Sequence, residues 1–331
     1  MPKSRISGIG SSVPKKIISN KDLEKIVDTS DEWITRRTGI RERRIACPEE
    51  NESTWELATR ASIKAMDMAG VKPDDLEMII MGTVTPDRQL PAASCMVQTA
   101  LKARNAAAFD VSAGCSGFLY ALSMADNAIR AGTCKNVLVI GAERLSSIVN
   151  WEDRNTCVLL ADGAGAVVIT PSSNGKGVLT SQLKSDGKYW DLLYASYGNH
   201  NHVPDILGDV KSKPFFLKME GNRLYKKAIS CMAAVTRDAL AETGLACQDI
   251  DVVIPHQANI RIMRGLAKSL GIPMEKVYSN IHRYGNTSSA TIPIAMDEAY
   301  QEGFLKRGQN VLLVSFGAGL TWGASILKWD L

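Results

Sequence analysis

The sequence is poor in what membranes, oxidising compartments and nucleic acids require. No apolar run in the 331 residues approaches the roughly 20 needed to span a bilayer. Met1-Pro2-Lys3-Ser4-Arg5-Ile6-Ser7-Gly8 holds no apolar core of the kind that directs secretion. Seven cysteines stand at 47, 95, 115, 134, 157, 231 and 247, an odd number without a C-x-x-C pair. That pattern belongs to cytosolic thiols, not to a disulfide framework or a zinc site. Lys plus Arg is 39 against 35 for Asp plus Glu, an excess too small to point to nucleic acid. Ile6-Ser7-Gly8-Ile9-Gly10 opens like a dinucleotide site, but the third glycine would fall at Val13, before Pro14, where a helix starts badly. Asp162-Gly163-Ala164-Gly165 lacks the Gly-Lys-Ser/Thr ending of a phosphate loop. What remains is a cytoplasmic globular chain, 45% hydrophobic and 22% charged, with no cofactor and no metal expected.

What is present gathers around Asp110-Val111-Ser112-Ala113-Gly114-Cys115-Ser116-Gly117-Phe118. Ala106 to Val111 is short and mostly apolar and reads as a buried strand. Phe118, Leu119, Leu122, Ala125 and Ile129 then recur at helical spacing until Gly132. Cys115 therefore sits at a sharp strand-to-helix turn, where glycines permit tight geometry and a helix start favours thiolate over thiol. A buried structural cysteine is the commoner fate, so the rest of the chain must decide.

The order of elements repeats. Thr54 to Gly70 reads as a helix, Leu76 to Gly82 as a strand, Ala93 to Lys102 as a helix and Asn136 to Gly141 as a strand. In the second half a helix over Asn222 to Gly244 precedes a strand at Ile250 to Ile254, and Asn310 to Val314 echoes Asn136 to Ile140. From Asp75 to Cys115 is 40 positions (115−75), and from Asp249 to Asn286 is 37 (286−249). An internal duplication of βα units is expected, with equivalent turns meeting at one site. Val158 to Ile169 reads as strand or loop, a glycine turn, then strand; Ser185 to Lys218 is polar and reads as a surface excursion.

Of the four histidines, His200 and His202 lie in that excursion and His282 precedes Arg283, so all three are expected at the surface. His256 differs, because Pro255-His256-Gln257-Ala258-Asn259 follows a buried strand directly, and strand ends are where α/β sheets bind ligands. Asn286 lies in Tyr284-Gly285-Asn286-Thr287-Ser288, a second glycine-led turn into a helix. Cys, His and Asn at three such turns form a candidate catalytic set. The same order occurs in papain-like proteases, but those carry C-G-S-C-W near the mature N-terminus, and here Cys115 is deep in the chain. Asp31 to Arg44 holds Trp33 and five arginines, either a solvated face or a nucleotide site in which Trp stacks and Arg grips phosphate.

These stretches, with Thr29-Ser30-Asp31-Glu32-Trp33, Asp153-Arg154-Asn155-Thr156, His256-Gln257-Ala258-Asn259, Gly285-Asn286-Thr287-Ser288 and Ser315-Phe316-Gly317-Ala318-Gly319, resemble the 3-oxoacyl-[acyl-carrier-protein] synthase III family of the thiolase-like superfamily, nearly end to end. The resemblance implies an α/β thiolase-like fold, two duplicated halves (1–175 with Cys115, 176–331 with His256 and Asn286) in a five-layered αβαβα arrangement. It implies a decarboxylating condensation of an acyl-CoA with malonyl-acyl carrier protein through acyl-Cys115, initiating fatty-acid synthesis. His256 and Asn286 would then serve the enolate, the Cys115 and Ala318 N–H groups the oxyanion, and Phe316 would divide acyl group from carboxylate. Thr29, Trp33, Arg37, Arg154, Asn222 and Asn259 would bind CoA. Arg261, Arg264 and Lys268, at i, i+3 and i+7 of one helix, would meet the acidic carrier protein. A homodimer is implied, with Leu90 where some members place a Phe from the partner in the acyl pocket. Alternatives are a secondary-metabolism ketosynthase or acyltransferase with the same triad, or a non-catalytic acyl-CoA-binding homologue.

Overall fold

Runs of Val, Ile, Leu and Ala too short for helices make the central strands, and amphipathic stretches between them make the covering helices. The computed structural model describes residues 3–195 and 216–331. Its strands are β1 (Lys3–Ser12), β2 (Ile17–Ser19), β3 (Glu42–Arg44), β4 (Met78–Gly82), β5 (Ala107–Val111), β6 (Val137–Arg144), β7 (Asp162–Ser172), β8 (Gly177–Ser185), β9 (Leu193–Ala195), β10 (Leu217–Met219), β11 (Val252–Pro255), β12 (Asn310–Gly317) and β13 (Thr321–Lys328). The helices are α1 (Asn20–Leu23), α2 (Asp31–Thr38), α3 (Thr54–Ala69), α4 (Ala93–Leu101), α5 (Gly117–Arg130), α6 (Arg154–Cys157), α7 (Gly221–Thr243), α8 (Ile260–Leu270), α9 (Ile281–Tyr284) and α10 (Thr291–Gln301).

One sheet runs β1-β7-β6-β4-β5 and the other β11-β12-β13-β8. In each, parallel strands lead into an antiparallel pair: β5, β4 and β6 run parallel, β7 runs against β6 and β1 against β7, while β11 and β12 run parallel, β13 runs against β12 and β8 against β13. Helices α3 and α4 pack on the outside of the first sheet, α7 on the outside of the second with α8 against it, and α5 and α10 lie between the sheets. The repeat is thus a duplicated layer structure. In the second half the counterpart of β5 shrinks to a single parallel bridge, Val277 to Val253. The central layer is dry: Phe118, Leu119, Leu122 and Ala125 of α5 and Ile292, Ala295 and Met296 of α10 share one buried cluster with residues of both sheets. Such burial, at ~25 cal/mol per Å² of apolar surface, is what holds the two sheets together.

Three expectations are corrected. Gly163 and Gly165 do not make a turn; β7 runs unbroken through them. They are glycine because α10 crosses there, and a Cβ on Gly165 would come within 2.8 Å of the Pro293 and Ile294 backbone. His282 is half-buried, and its carbonyl accepts from the Arg41 N–H at 3.1 Å, because α9 tucks under the β2–β3 ribbon. The ends of the 185–218 stretch are not loop: residues 187–192 form a 3₁₀ segment, and β9 pairs with β10. His200 and His202 lie outside the described residues. Among the described residues no helix is long and apolar enough to cross a membrane.

Candidate active site

β5 delivers the chain to Gly114, whose φ of 55° suits only glycine without strain, and the one-turn 3₁₀ segment Gly114–Ser116 passes directly into α5. Cys115 sits in that turn. The second half closes on it from the end of β12. Ser315 Oγ donates to the Cys115 carbonyl at 2.8 Å, and a Cβ on Gly114 would stand 2.7 Å from the Ala318 nitrogen. The Cys115 and Ala318 N–H groups therefore meet at one junction, and among the described residues neither has a hydrogen-bond partner. Two free N–H groups beside a sulfur nucleophile suit a developing oxyanion. Burial pushes the Cys115 thiol up to about 11, with the facing Ser288 hydroxyl pulling the other way. The thiolate expected from the helix start is thus outweighed by desolvation: the thiol is the resting form and must ionise before the sulfur attacks.

His256 directly follows β11, its N–H donating to the Val314 carbonyl at 2.8 Å, which sets the residue beside the end of β12. The ring is 4% exposed, and burial lowers its pKa to about 3, so it is neutral. Its Nδ1 lies 2.6 Å from Thr291 Oγ at the start of α10. Asn286, 9% exposed, is fixed at both ends. Its backbone bridges to Leu159 and Ala161 at 2.9 Å, and its Oδ1 accepts from the Ser288 N–H at 2.8 Å. That leaves the Asn286 NH₂ as the free donor.

Cys115, Asn286, Ser288 and Ala318 line a cavity of about 800 Å³ whose far walls are Leu90, Phe109, Ile148, Leu193, Leu217 and Met219. Neither His256 nor Phe316 lines this chamber. Phe316 is 7% exposed and paired in register with Trp322. The β9–β10 ribbon was invisible to sequence reasoning because its strands are three residues long.

The nucleotide candidates gather on another face. The Trp33 ring lies under two guanidinium groups, Arg37 at 5.1 Å and Arg154 at 5.2 Å. Thr29 Oγ1 is buried without a hydrogen-bond partner among the described residues. Helix α2 packs on α8, whose N-cap is Asn259. Asn222 is exposed in the first turn of α7, one turn before Tyr225, whose ring lies 5.3 Å from the Arg261 guanidinium. Arg261, Arg264 and Lys268 are all exposed on the outer face of α8.

Comparison with known proteins fits this arrangement. Residues 109–187 match the family model "3-Oxoacyl-[acyl-carrier-protein (ACP)] synthase III", and residues 240–329 match its C-terminal counterpart. A beta-ketoacyl-[acyl-carrier-protein] synthase III of Caldanaerobacter subterraneus subsp. tengcongensis is 51% identical, covering 98% of this chain and 97% of that one. The chain belongs to the 3-oxoacyl-[acyl-carrier-protein] synthase III family. The synthase III from Aquifex aeolicus superposes with a TM-score of 0.91 at 47% identity, covering 98% of this chain and 100% of that chain. The priming beta-ketosynthase of the R1128 polyketide pathway has a TM-score of 0.92 at 34% identity, over 99% of this chain and 96% of that one. The fold is thus the α/β fold of thiolase-like enzymes, and the chain is an acyltransferase-type condensing enzyme of fatty-acid synthesis, acting at the initiating step.

Proposed function

We propose that this chain works by ping-pong at Cys115, His256 and Asn286, with malonyl-acyl carrier protein as the extending partner. The Cys115 sulfur attacks the acyl-CoA carbonyl, the Cys115 and Ala318 N–H groups hold the oxyanion, and CoA leaves carrying the proton that the thiol gave up. Malonyl-acyl carrier protein then loses CO₂. The enolate oxygen faces Asn286 and His256, its carbon attacks acyl-Cys115, and the 3-oxoacyl product leaves with the sulfur freed. The observation that carries this reading is Asn286, turned by Ser288 so that its NH₂ is free and lining the same cavity as Cys115. Thr29, Trp33, Arg37, Arg154, Asn222 and Asn259 hold CoA, and Phe316 separates the acyl group from the carboxylate. The division into halves 1–175 and 176–331, a homodimer and a cytoplasmic location belong to the same proposal.

The test measures two half-reactions separately: acyl-enzyme by mass after incubation with labelled acyl-CoA, and CO₂ release from malonyl-acyl carrier protein. Cys115→Ser should carry no acyl group, since an alkoxide forms far less readily than a thiolate. Asn286→Ala should acylate yet lose about 10²–10³-fold in CO₂ release. Parent-rate CO₂ release from Asn286→Ala would sink the enolate assignment. Mass appearing on no residue of the parent would leave a binder rather than a catalyst.

A further inference from the structure

Ser288 is one of three non-glycine residues with positive φ among the described residues, at 51°, and it is 2% exposed. A side chain in that region carries strain and persists only where its surroundings hold it. Each polar group of Ser288 is committed. Its N–H donates to Asn286 Oδ1 at 2.8 Å. Its carbonyl accepts from Thr291 Oγ at 2.9 Å, and that hydroxyl also lies 2.6 Å from His256 Nδ1. Its own hydroxyl donates to Glu143 Oε1 at 3.0 Å. One residue in a strained conformation thus reaches both proposed enolate donors and a carboxylate.

Glu143, the last residue but one of β6, is fully buried, and among the described residues no basic side chain lies within hydrogen-bond reach of it. Its second oxygen accepts from Thr83 Oγ, the Val84 and Thr85 N–H groups and Thr85 Oγ, at 3.2, 3.0, 3.1 and 2.5 Å. Its first oxygen faces Ser288 and Ser289 Oγ, each at 3.0 Å. The carboxylate therefore ties the 83–85 wall of the cavity, in the first half, to the Asn286 turn, in the second. A buried carboxyl group is costly unless it is hydrogen-bonded; here donors crowd the second oxygen, while the first relies on Ser288, since the one Ser289 hydrogen also has the Gly82 carbonyl at 2.7 Å. Proton accounting adds a constraint at the other end of the chain of bonds. Thr291 has one hydrogen, within reach of both the Ser288 carbonyl at 2.9 Å and His256 Nδ1 at 2.6 Å; shared toward Nδ1 across the shorter contact, it leaves the ring's own hydrogen on Nε2, the nitrogen that can then donate to an enolate. The tautomer of His256 is then set by Thr291 and, behind it, by Ser288.

We propose that Ser288, held in its left-handed conformation by Glu143, is the positioning residue of the decarboxylation site, aiming Asn286 directly and His256 through Thr291. The proposal rests on the assignment of Asn286 and His256 to the enolate. Because misplacement of a catalytic group by about 1 Å costs on the order of 10²-fold, loosening this chain should slow CO₂ release while leaving the sulfur able to accept an acyl group.

Four variants test it: Thr291→Val, which removes one hydroxyl at nearly constant volume; Thr291→Ser, which keeps it; Ser288→Gly, which keeps the backbone at ease but cuts the link to Glu143; and Glu143→Gln. CO₂ release, acyl-Cys115 formation and thermal melting are measured for each, beside Asn286→Ala and His256→Ala. Thr291→Val and Glu143→Gln should lose about 10²-fold in CO₂ release and keep acylation within about threefold, Thr291→Ser should recover most of the loss, and Ser288→Gly, whose lost hydroxyl also faces Cys115, should lose more in CO₂ release than in acylation. If Asn286→Ala and His256→Ala lose CO₂ release while the other variants keep it, the positioning role is wrong and the enolate assignment stands. If Asn286→Ala and His256→Ala keep it, the assignment fails and the proposal with it. Equal losses in both half-reactions alongside a lower melting temperature would make the network merely structural, and that too overturns the proposal.

Discussion

A thiol raised to about 11 and an imidazole lowered to about 3 give this site an unusual pair of protonation states: both partners are neutral across the physiological range. Below its pKa, each unit of pH lowers the thiolate fraction about tenfold. Acylation by acyl-CoA should therefore climb steadily from about pH 6 to 9, and without a step at the ordinary histidine value, because His256 gains no proton there. Rates of acyl-Cys115 formation read by mass across that range check this; a step near the ordinary value that vanishes in His256→Ala would contradict it. Leu90 carries the second prediction at this scale. It lines the cavity yet is 84% exposed. Leu90→Phe should shift preference toward the shortest donors, at the scale of about 1–3 kcal/mol per methylene. A donor scan from acetyl to longer and branched acyl-CoA reads it, and an unchanged ranking would mean that position 90 does not shape the pocket. Sequence alone singled out Cys115, His256 and Asn286 as candidates, because each lies beside a glycine turn or an apolar strand that marks it. It gave no sign of Glu143, since one acid at the end of the apolar run Val137 to Ala142 reads as the place where a strand surfaces. Its burial depends on partners 58 to 146 positions away.

Among the elements, those with a single, long apolar face were legible. Helices α3 and α7 have boundaries within a residue of the reading, with Gly70 and Gly244 in the left-handed C-cap position that stops a helix. Strand β7 was not, because Gly163 and Gly165 look like a turn until α10 is known to cross them; a contact with a distant helix leaves no local mark. Helix α8 has the sharpest division between faces. Met263, Leu266, Ala267 and Leu270 are buried and Arg261, Arg264 and Lys268 exposed. If that basic face receives the acidic carrier protein, Arg261→Glu should weaken use of malonyl-acyl carrier protein far more than acylation from acyl-CoA. The deficit should shrink as salt rises, because screening at about 0.15 M already shortens the reach of a surface charge to ~8 Å. Half-reaction kinetics at two ionic strengths decide it, and equal losses in both halves of the cycle would remove α8 from docking.

At the scale of the whole molecule, one chain supplies every residue of the proposed triad but leaves the cavity beside Cys115 walled in part by Leu90, an apolar residue in water. A lone exposed apolar residue is common on protein surfaces; this one matters because it also lines the cavity, where a second copy would cover it. Sedimentation should find a dimer, and dilution that yields monomer should cost acyl transfer before it costs the fold; a fully active monomer would refute this. The two-sheet architecture was readable from the repeated helix–strand order, because duplication writes the same periodicities twice. How the copies face each other was not, since that is set by the contact of β12 with the Cys115 turn and by α5 against both sheets. That central layer also divides the chain into parts with different freedom to change. Eight of the eleven residues of α10 are buried, so a substitution there disturbs both sheets at once. The β9–β10 ribbon, by contrast, borders the chamber with only half-buried side chains and pairs across only three residues on each side. Selection for a new primer would find its raw material in that ribbon, and descendants of this chain could diverge in diet while sharing one unaltered reaction centre.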